Sequence, residues 1–286
     1  MKKYDLIIIG LGVAGMSAAV YAARAKLNVL VLEKETPGGI LNSIGEINNF
    51  IGYESITGPD LALNFYKQFR SLKLPMHNEE VIKLESTGDL KLVTTDNASY
   101  EAKAVIVATG RGAKKLSFGM GIKGISYCTL CDANLYQDKL VAIYGNNQQS
   151  IEDALYLSDI AKEVFLIVKD FKVRELNKDN TKIITNEEII DLKSEANELR
   201  EIVLKNQAIK ADGLFLNLGY GPATYFCQDL VNEKGYLEVN DKGETKEPGI
   251  YACGDNIQKE IYQIVNAASE GAIAAINANK YIKGIK

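Results

Sequence analysis

The chain has 286 residues, 47% hydrophobic and 24% charged, proportions that exclude a disordered, collagenous or simple coiled-coil protein. At roughly 150 residues per domain, the length suggests two domains. Thirty-three Lys and Arg against 37 Asp and Glu leave a net charge of -4, no broad basic field for a phosphate backbone, so nucleic acid is not an expected partner. The single histidine, His77, excludes a His-rich metal site and leaves proton chemistry to other side chains.

Residues 4–9 read as a buried strand, a glycine turn follows, 16–25 reads as a helix and 28–32 as a second buried strand. Leu6 to Ala23 is an uncharged run of membrane-span length, but Gly10, Gly12 and Gly15 interrupt it where a spanning helix would be weakened and a strand-turn-helix needs them. No membrane span is therefore expected, and the chain reads as cytoplasmic. Glu33 closes the second strand 23 positions after Gly10, where a carboxylate accepts hydrogen bonds from an adenosine ribose. Turn, strands, helix and acid together predict a dinucleotide site.

A second unit repeats the first at an offset of 135 residues: strand 139–144, turn 145–150, helix 151–160 and strand 163–168. Gly10 falls on Gly145, but Gly12 becomes Asn147, Gly15 becomes Ser150 and Glu33 becomes Val168. Side chains now occupy positions where a pyrophosphate requires close backbone approach. Val168 cannot accept a ribose hydrogen bond, and Lys169 is followed by Asp170, which would repel a 2′-phosphate. The unit is either a structural βαβ that never bound a ligand or a nicotinamide domain that has lost one; tight NADPH binding is not expected.

Strand 105–108 leads through Thr109, Gly110, Arg111 and Gly112 out of the first domain, and the polar stretch Lys242 to Pro248 reads as the return crossing. Strand 250–252 and an Ala- and Ile-rich helix at 263–281 then pack back on the first sheet. The expected fold is α/β, two Rossmann-like, three-layer ββα domains: 1–111 with 245–286, and an inserted domain at 112–244.

Cys128 and Cys131 form a CxxC, while Cys227 and Cys253 stand alone without a disulfide-framework spacing. Zinc would need two more ligands at matching spacing, so no metal is expected and a redox disulfide is favoured. An adjacent helix start would favour a thiolate. Asp132 is the nearest proton donor and equally a helix cap.

These features in their order resemble the low-molecular-weight thioredoxin reductases, two-domain flavoproteins of pyridine nucleotide-disulfide oxidoreductase architecture. The likeness covers nearly the whole chain: the Gly10–Gly15 turn, Glu33, Pro37-Gly38-Gly39, Asn49-Phe50 followed by Gly52, Ala108-Thr109-Gly110, Cys128 and Cys131 with Asp132, Gly254-Asp255, and the tail around Gln263, Ile264, Ala267 and Ala268. The resemblance implies FAD held by Gly10, Gly12, Ala14, Gly15, Glu33, Lys34, Gly38, Gly39, Ile40, Leu41, Asn49, Val81, Ala108, Thr109, Gly110, Gly254, Asp255, Gln263 and Ile264. It implies catalysis by Cys131 toward the flavin, Cys128 toward the disulfide of thioredoxin and Asp132 as acid. Hinges near Gly112 and Lys242 and a homodimer are implied as well.

The departures fall where that family binds NADPH: Gly-Asn-Asn-Gln-Gln-Ser replaces its glycine-rich turn, and Val168, Lys169, Asp170 replace its His-Arg-Arg clamp. This pattern is similar to the ferredoxin-dependent flavin thioredoxin reductases, a branch that does not use pyridine nucleotide. Reduced ferredoxin is then the expected donor, with Arg111, Lys114, Lys115 and Lys123 as a landing area for its acidic surface. The alternatives are an NADPH-dependent thioredoxin reductase with a weakened site and a flavin-bearing redox sensor that does not turn over.

Overall fold

The structure is a computed structural model that describes residues 2–116, 118–119, 121–173, 176 and 178–285. The chain divides into two units, residues 1–112 with 221–286 and residues 113–220. The first division falls between Gly112 and Ala113, one residue beyond the expected boundary after 111. The second does not fall after 244 as expected: it lies at Tyr220–Gly221, and the stretch 221–244 belongs to the first unit. Phe226, Cys227 and Leu237 are buried there in one core with Ile7, Leu30 and Val105. Lys242 lies inside the first unit rather than between units, where Asn240 and Gly243 close a turn (Gly243 N to Asn240 O, 2.9 Å) that returns the chain to Ile250–Ala252.

In the first unit, strand Lys2–Ile9 ends in four fully buried residues, as its apolar half demands. It pairs in parallel with Val29–Glu33 on one side and Ser99–Val107 on the other. Met76–Asn78 extends the first edge, and Ile250–Ala252 joins the second half of Ser99–Val107. On that side the first half of the long strand pairs instead with the antiparallel strand Leu90–Thr95, which in turn pairs with Val81–Thr87. Helix Val13–Arg24 starts three residues before its predicted point because Gly12 serves as its extended N-cap. Its Ala and Gly face admits close packing of helix Ile264–Ile282: a Cβ on Gly271 would lie 2.1 Å from Ala14 O.

The second unit repeats this plan. Its parallel sheet runs Ile125–Ser126, Gly213–Asn217, Leu140–Gly145, Glu163–Val168 and Thr181–Thr185. Helix Gln148–Ser158 packs on one face through Ile151, Ala154 and Leu157. An antiparallel meander, Ile189–Glu195, Glu198–Leu204 and Ala208–Lys210, supplies Ile189, Leu192 and Ile202 to the other. Each unit is thus the three-layer sandwich expected from the repeat. Among the described residues, no helix is long and apolar enough to cross a membrane.

Candidate active site: a glycine cradle in one unit, a disulfide in the other

Three glycines of the first turn do different work. Gly10 has φ +96°, and a Cβ there would sit 2.6 Å from Ala108 O; on Gly15 it would sit 1.9 Å from Gly10 O. These two let strand, helix and neighbouring strand approach. Gly12 has nothing within 4 Å of the place a Cβ would take, so it faces open space at the start of a 12-residue helix with no side-chain cap and no acid in its first turn. Uncapped N–H groups and the positive end of the helix dipole make this an anion cradle. Ala14 lies in that first turn, and Gly38 N ties the following loop to Leu11 O at 2.9 Å. A Cβ on Gly39 would lie 3.6 Å from Gly12 Cα, so that loop also borders the open space.

Glu33 Oε2 accepts from Leu11 N (2.6 Å) and Oε1 from Glu35 N (2.9 Å). Burial raises the pKa of this carboxyl, and the backbone donors work in the other direction. Each oxygen keeps a lone pair for a further donor. Lys34 pairs with Glu35 and Glu80.

On the far side of the sheet edge, Thr109 Oγ1 donates to Ala223 O (2.7 Å) and accepts from Asn256 Nδ2 (3.2 Å), and Gly110 has φ +63°. Gly254, at φ +83°, donates its N–H to Glu270 Oε2 (2.8 Å). Asp255 Oδ1 is buried without a hydrogen-bond donor, 3.5 Å from the Lys259 ammonium. Asn49 Nδ2 meets Gln263 Oε1 at 3.1 Å across 214 positions. Leu41 and Ile264 share one small core, whereas Ile40 is 57% exposed. Val81 is a core residue, so only its backbone is open to a ligand. Asn256 and Glu270 escaped the sequence reading; for Asn256 the available signal was its place directly after Gly254-Asp255.

The second unit's turn is closed by its own side chains. Asn147 is the N-cap of Gln148–Ser158; its Oδ1 accepts from Ser150 N (3.0 Å) and Ser150 Oγ (3.0 Å), and its Nδ2 donates to Asn217 O (2.9 Å). A Cβ on Gly145 would lie 2.3 Å from Ser150 Oγ. Val168 is fully buried. The Lys169 ammonium donates to Glu188 (2.8 Å), which raises the lysine pKa and lowers that of the glutamate. The cation beside this turn is thus already engaged, by a residue that sequence spacing did not flag.

Cys128 and Cys131 form a disulfide, Cα atoms 5.3 Å apart, and both are exposed. The predicted helix here is a single turn, Thr129–Asp132, followed by a 3-10 turn, Ala133–Tyr136. Asp132 caps neither by its side chain. Its Oδ2 accepts instead from Ser126 Oγ (2.7 Å), a buried hydroxyl that also accepts from Cys128 N (3.2 Å). Ser126 was not singled out in the sequence, although it stands two residues before Cys128. A cavity of about 360 Å³ opens beside Cys128, lined by Tyr127, Thr129, Asn147, Gln149 and Asn217 among others. Burial pushes the Cys227 thiol up to about 12 and raises that of Cys253 further, so both are inert as nucleophiles. Among the described residues, no cluster of His, Cys, Asp or Glu could hold a metal ion.

Of the basic residues near the first crossing, Arg111 lies in the first unit with its guanidinium 5.6 Å over Tyr262, and Lys115 in the second, 5.3 Å over Tyr127.

Residues 4–271 match the profile of the pyridine nucleotide-disulphide oxidoreductases. A 34.2 kDa protein of the rubredoxin operon of Clostridium pasteurianum is 36% identical over 304 residues, covering 99% of this chain and 98% of that protein. The thioredoxin reductase of Bacillus subtilis is 32% identical, covering 100% and 96%. The solved ferredoxin-flavin thioredoxin reductase of Clostridium acetobutylicum superimposes with a TM-score of 0.65 at 27% identity, covering 99% of both chains. With its glycine cradle, its disulfide and a match over almost its entire length, the chain belongs to the pyridine nucleotide-disulphide oxidoreductase family.

Proposed function

We propose that the protein is an FAD-dependent thioredoxin reductase that takes its electrons from reduced ferredoxin rather than from NADPH. The observation that carries the choice of donor is the side-chain closure of the second turn. Asn147 caps the Ser150 N–H at the helix start where a pyrophosphate would bind, Val168 is buried, and Lys169 is paired with Glu188.

The first unit fits FAD. The open space above Gly12 admits the pyrophosphate, Glu33 offers acceptors to the adenosine ribose, and the orphaned Oδ1 of Asp255 suits a hydroxyl of the flavin chain. Gly10, Gly15, Gly38, Gly39, Ala108, Thr109, Gly110 and Gly254 shape the cradle, and Asn49, Gln263 and Ile264 are assigned to the flavin end. Bound FAD supplies the link between one-electron carriers and two-electron disulfide chemistry.

Two electrons and two protons open the Cys128–Cys131 disulfide. The Cys128 thiolate attacks a sulfur of the thioredoxin disulfide, forming a mixed disulfide and expelling one thioredoxin thiolate, which takes a proton from Asp132. The Asp132 carboxylate then takes the second proton from the Cys131 thiol, whose thiolate attacks Cys128; the expelled second thioredoxin thiolate takes that proton from Asp132, so dithiol thioredoxin leaves and the first disulfide is restored. Ser126 holds the Asp132 carboxyl beside the pair. We assign the enzyme to the cytoplasm as a homodimer; Val265, Ile273 and Ile276, exposed on the last helix, give apolar surface for such an interface.

The test follows flavin absorbance without air, with excess NADPH or with reduced ferredoxin, each in the presence of thioredoxin. Bleaching and new thioredoxin thiols with ferredoxin alone support the proposal. Prompt bleaching by NADPH replaces it with the NADPH-dependent reading.

A further inference from the structure

The hydrogen bonds that close the second turn do not stop there. Asn147 Nδ2 donates to Asn217 O, and Asn217 Nδ2 donates to Asp153 Oδ2 at 2.7 Å. The same oxygen accepts from Thr129 Oγ1 at 2.7 Å, and Gln149 Nε2 donates to Oδ1 at 2.9 Å. Asp153 is 8% exposed and Thr129 5%. Thr129 is one of the two residues between the cysteines. A continuous run of hydrogen bonds, passing through both the backbone carbonyl and the side-chain amide of Asn217, therefore leads from the second turn to the residues between the cysteines.

The helix that carries Cys131 is one turn long, too short to hold its own shape in water. In the oxidised protein the S–S bond fixes it. In the dithiol that constraint is gone, and the distance between the thiols depends on what anchors the intervening residues. Thr129 is anchored by a buried carboxyl group, itself held by Asn217 and Gln149. Holding the turn closed raises the effective concentration of one thiol at the other.

We propose that Thr129, Asp153, Asn217 and Asn147 form a positioning device for the redox turn. By keeping Cys128 and Cys131 apposed when reduced, the device favours re-formation of their disulfide and makes the dithiol a stronger reductant. The residues that fill the second turn have thereby taken a task in the disulfide chemistry. This rests on the proposed function only in requiring that Cys128 and Cys131 be redox-active.

The test equilibrates the intact holoprotein, without air, in graded ratios of reduced to oxidised dithiothreitol. The Cys128–Cys131 dithiol is oxidised by the cyclic disulfide of dithiothreitol, which takes up its two electrons and two protons. The state of the pair is read by thiol alkylation and mass spectrometry. Thr129→Val, isosteric but without the hydroxyl, is expected to lower the equilibrium constant for disulfide formation about fivefold, part of the worth of the lost hydrogen bond to Asp153. At 29.6 mV per decade for two electrons, that is a potential about 20 mV less negative. Thr129→Ser is expected to stay within about twofold of the wild type, since the donor is kept. Asn147→Gly touches neither cysteine and is expected to shift the constant about twofold to threefold in the same direction.

An unchanged constant in Asn147→Gly, measured on protein whose oxidised form melts cooperatively, overturns the proposal even if Thr129→Val fails to fold. Equal shifts in Thr129→Val and Thr129→Ser overturn it as well. The assay contains neither ferredoxin, NADPH nor thioredoxin, so an error in donor or acceptor leaves its result intact. A pair that stays oxidised at every ratio refutes the redox reading itself.

Discussion

Substituting Ala at each glycine of the first turn separates fold from ligand. At Gly12 the backbone has φ -78°, which alanine adopts freely, and nothing lies within 4 Å of the new methyl. Alanine is a poorer N-cap than glycine but also narrows the unfolded ensemble, so these opposing effects leave a net change within about 1 kcal/mol. In a domain of this size that is about 2–4 °C in melting temperature. The methyl nevertheless occupies the open space through which a pyrophosphate reaches the helix N–H groups. Losing one hydrogen bond to a charged acceptor costs about 1.5–3 kcal/mol, a roughly tenfold to 150-fold rise in the Kd for FAD.

Gly10→Ala and Gly15→Ala are expected to behave otherwise. They force contacts of 2.6 Å and 1.9 Å with backbone oxygens, and Gly10 adds φ +96°, so several kcal/mol of stability are lost before any ligand is present. Melting of the FAD-free protein and quenching of flavin fluorescence measure the two effects separately. Wild-type FAD affinity in Gly12→Ala, or an apoprotein melting loss equal to that of Gly10→Ala, refutes the division of labour among the three glycines.

Three further outcomes are expected. After reduction, native iodoacetamide labelling modifies Cys128 and Cys131 and spares Cys227 and Cys253 until denaturant is added, because the latter two are buried with raised thiol pKa values; native labelling of either refutes it. Burial raises the Glu33 pKa in the folded state, so its destabilising charge is absent below the ordinary 4.5 and fully present once pH passes the folded value. The FAD-free Glu33→Gln variant should therefore gain melting temperature relative to the wild type as pH rises from about 4 to 7; a gain on acidification contradicts the sign. Lys91, with its side chain 3% exposed, pairs with Glu247 at 3.2 Å. Glu247→Ala leaves that ammonium to Ser86, and an unfolding loss of about 1–3 kcal/mol by urea titration is expected, moderated because Glu247 itself meets water.

Much of the fold was readable because local pattern and tertiary role coincide. Strand 163–168 and strand 250–252 are found where their apolar runs placed them, and each helix start differs by a few residues because the caps, Gly12 and Asn147, extend the first turn. The return crossing was misread because polarity with Gly and Pro marks any tight turn, linker or not. Lys242 to Pro248 encloses a turn within the first unit, while Tyr220–Pro222, where the two units divide, is a strand that no sequence pattern marked. At the site, residue types were legible but partners were not. The Ser126 bond to Asp132 spans six positions and that of Asn217 to Asp153 spans 64, distances that only the folded sheet closes.

The capped second turn also bears on reversibility. Replacing Asn147 with Gly removes the cap from Ser150 and the donor from Asn217 O, and replacing Ser150 takes away the hydroxyl that meets the same cap. Each step back toward a glycine turn thus weakens the helix start and loosens Asn217, before any nucleotide gains a contact. An evolving or engineered chain would have to rebuild Asn217 and its neighbours first, along a path whose early steps bring no benefit. The second turn is held in its present form by its own hydrogen bonds, a one-way door in sequence space.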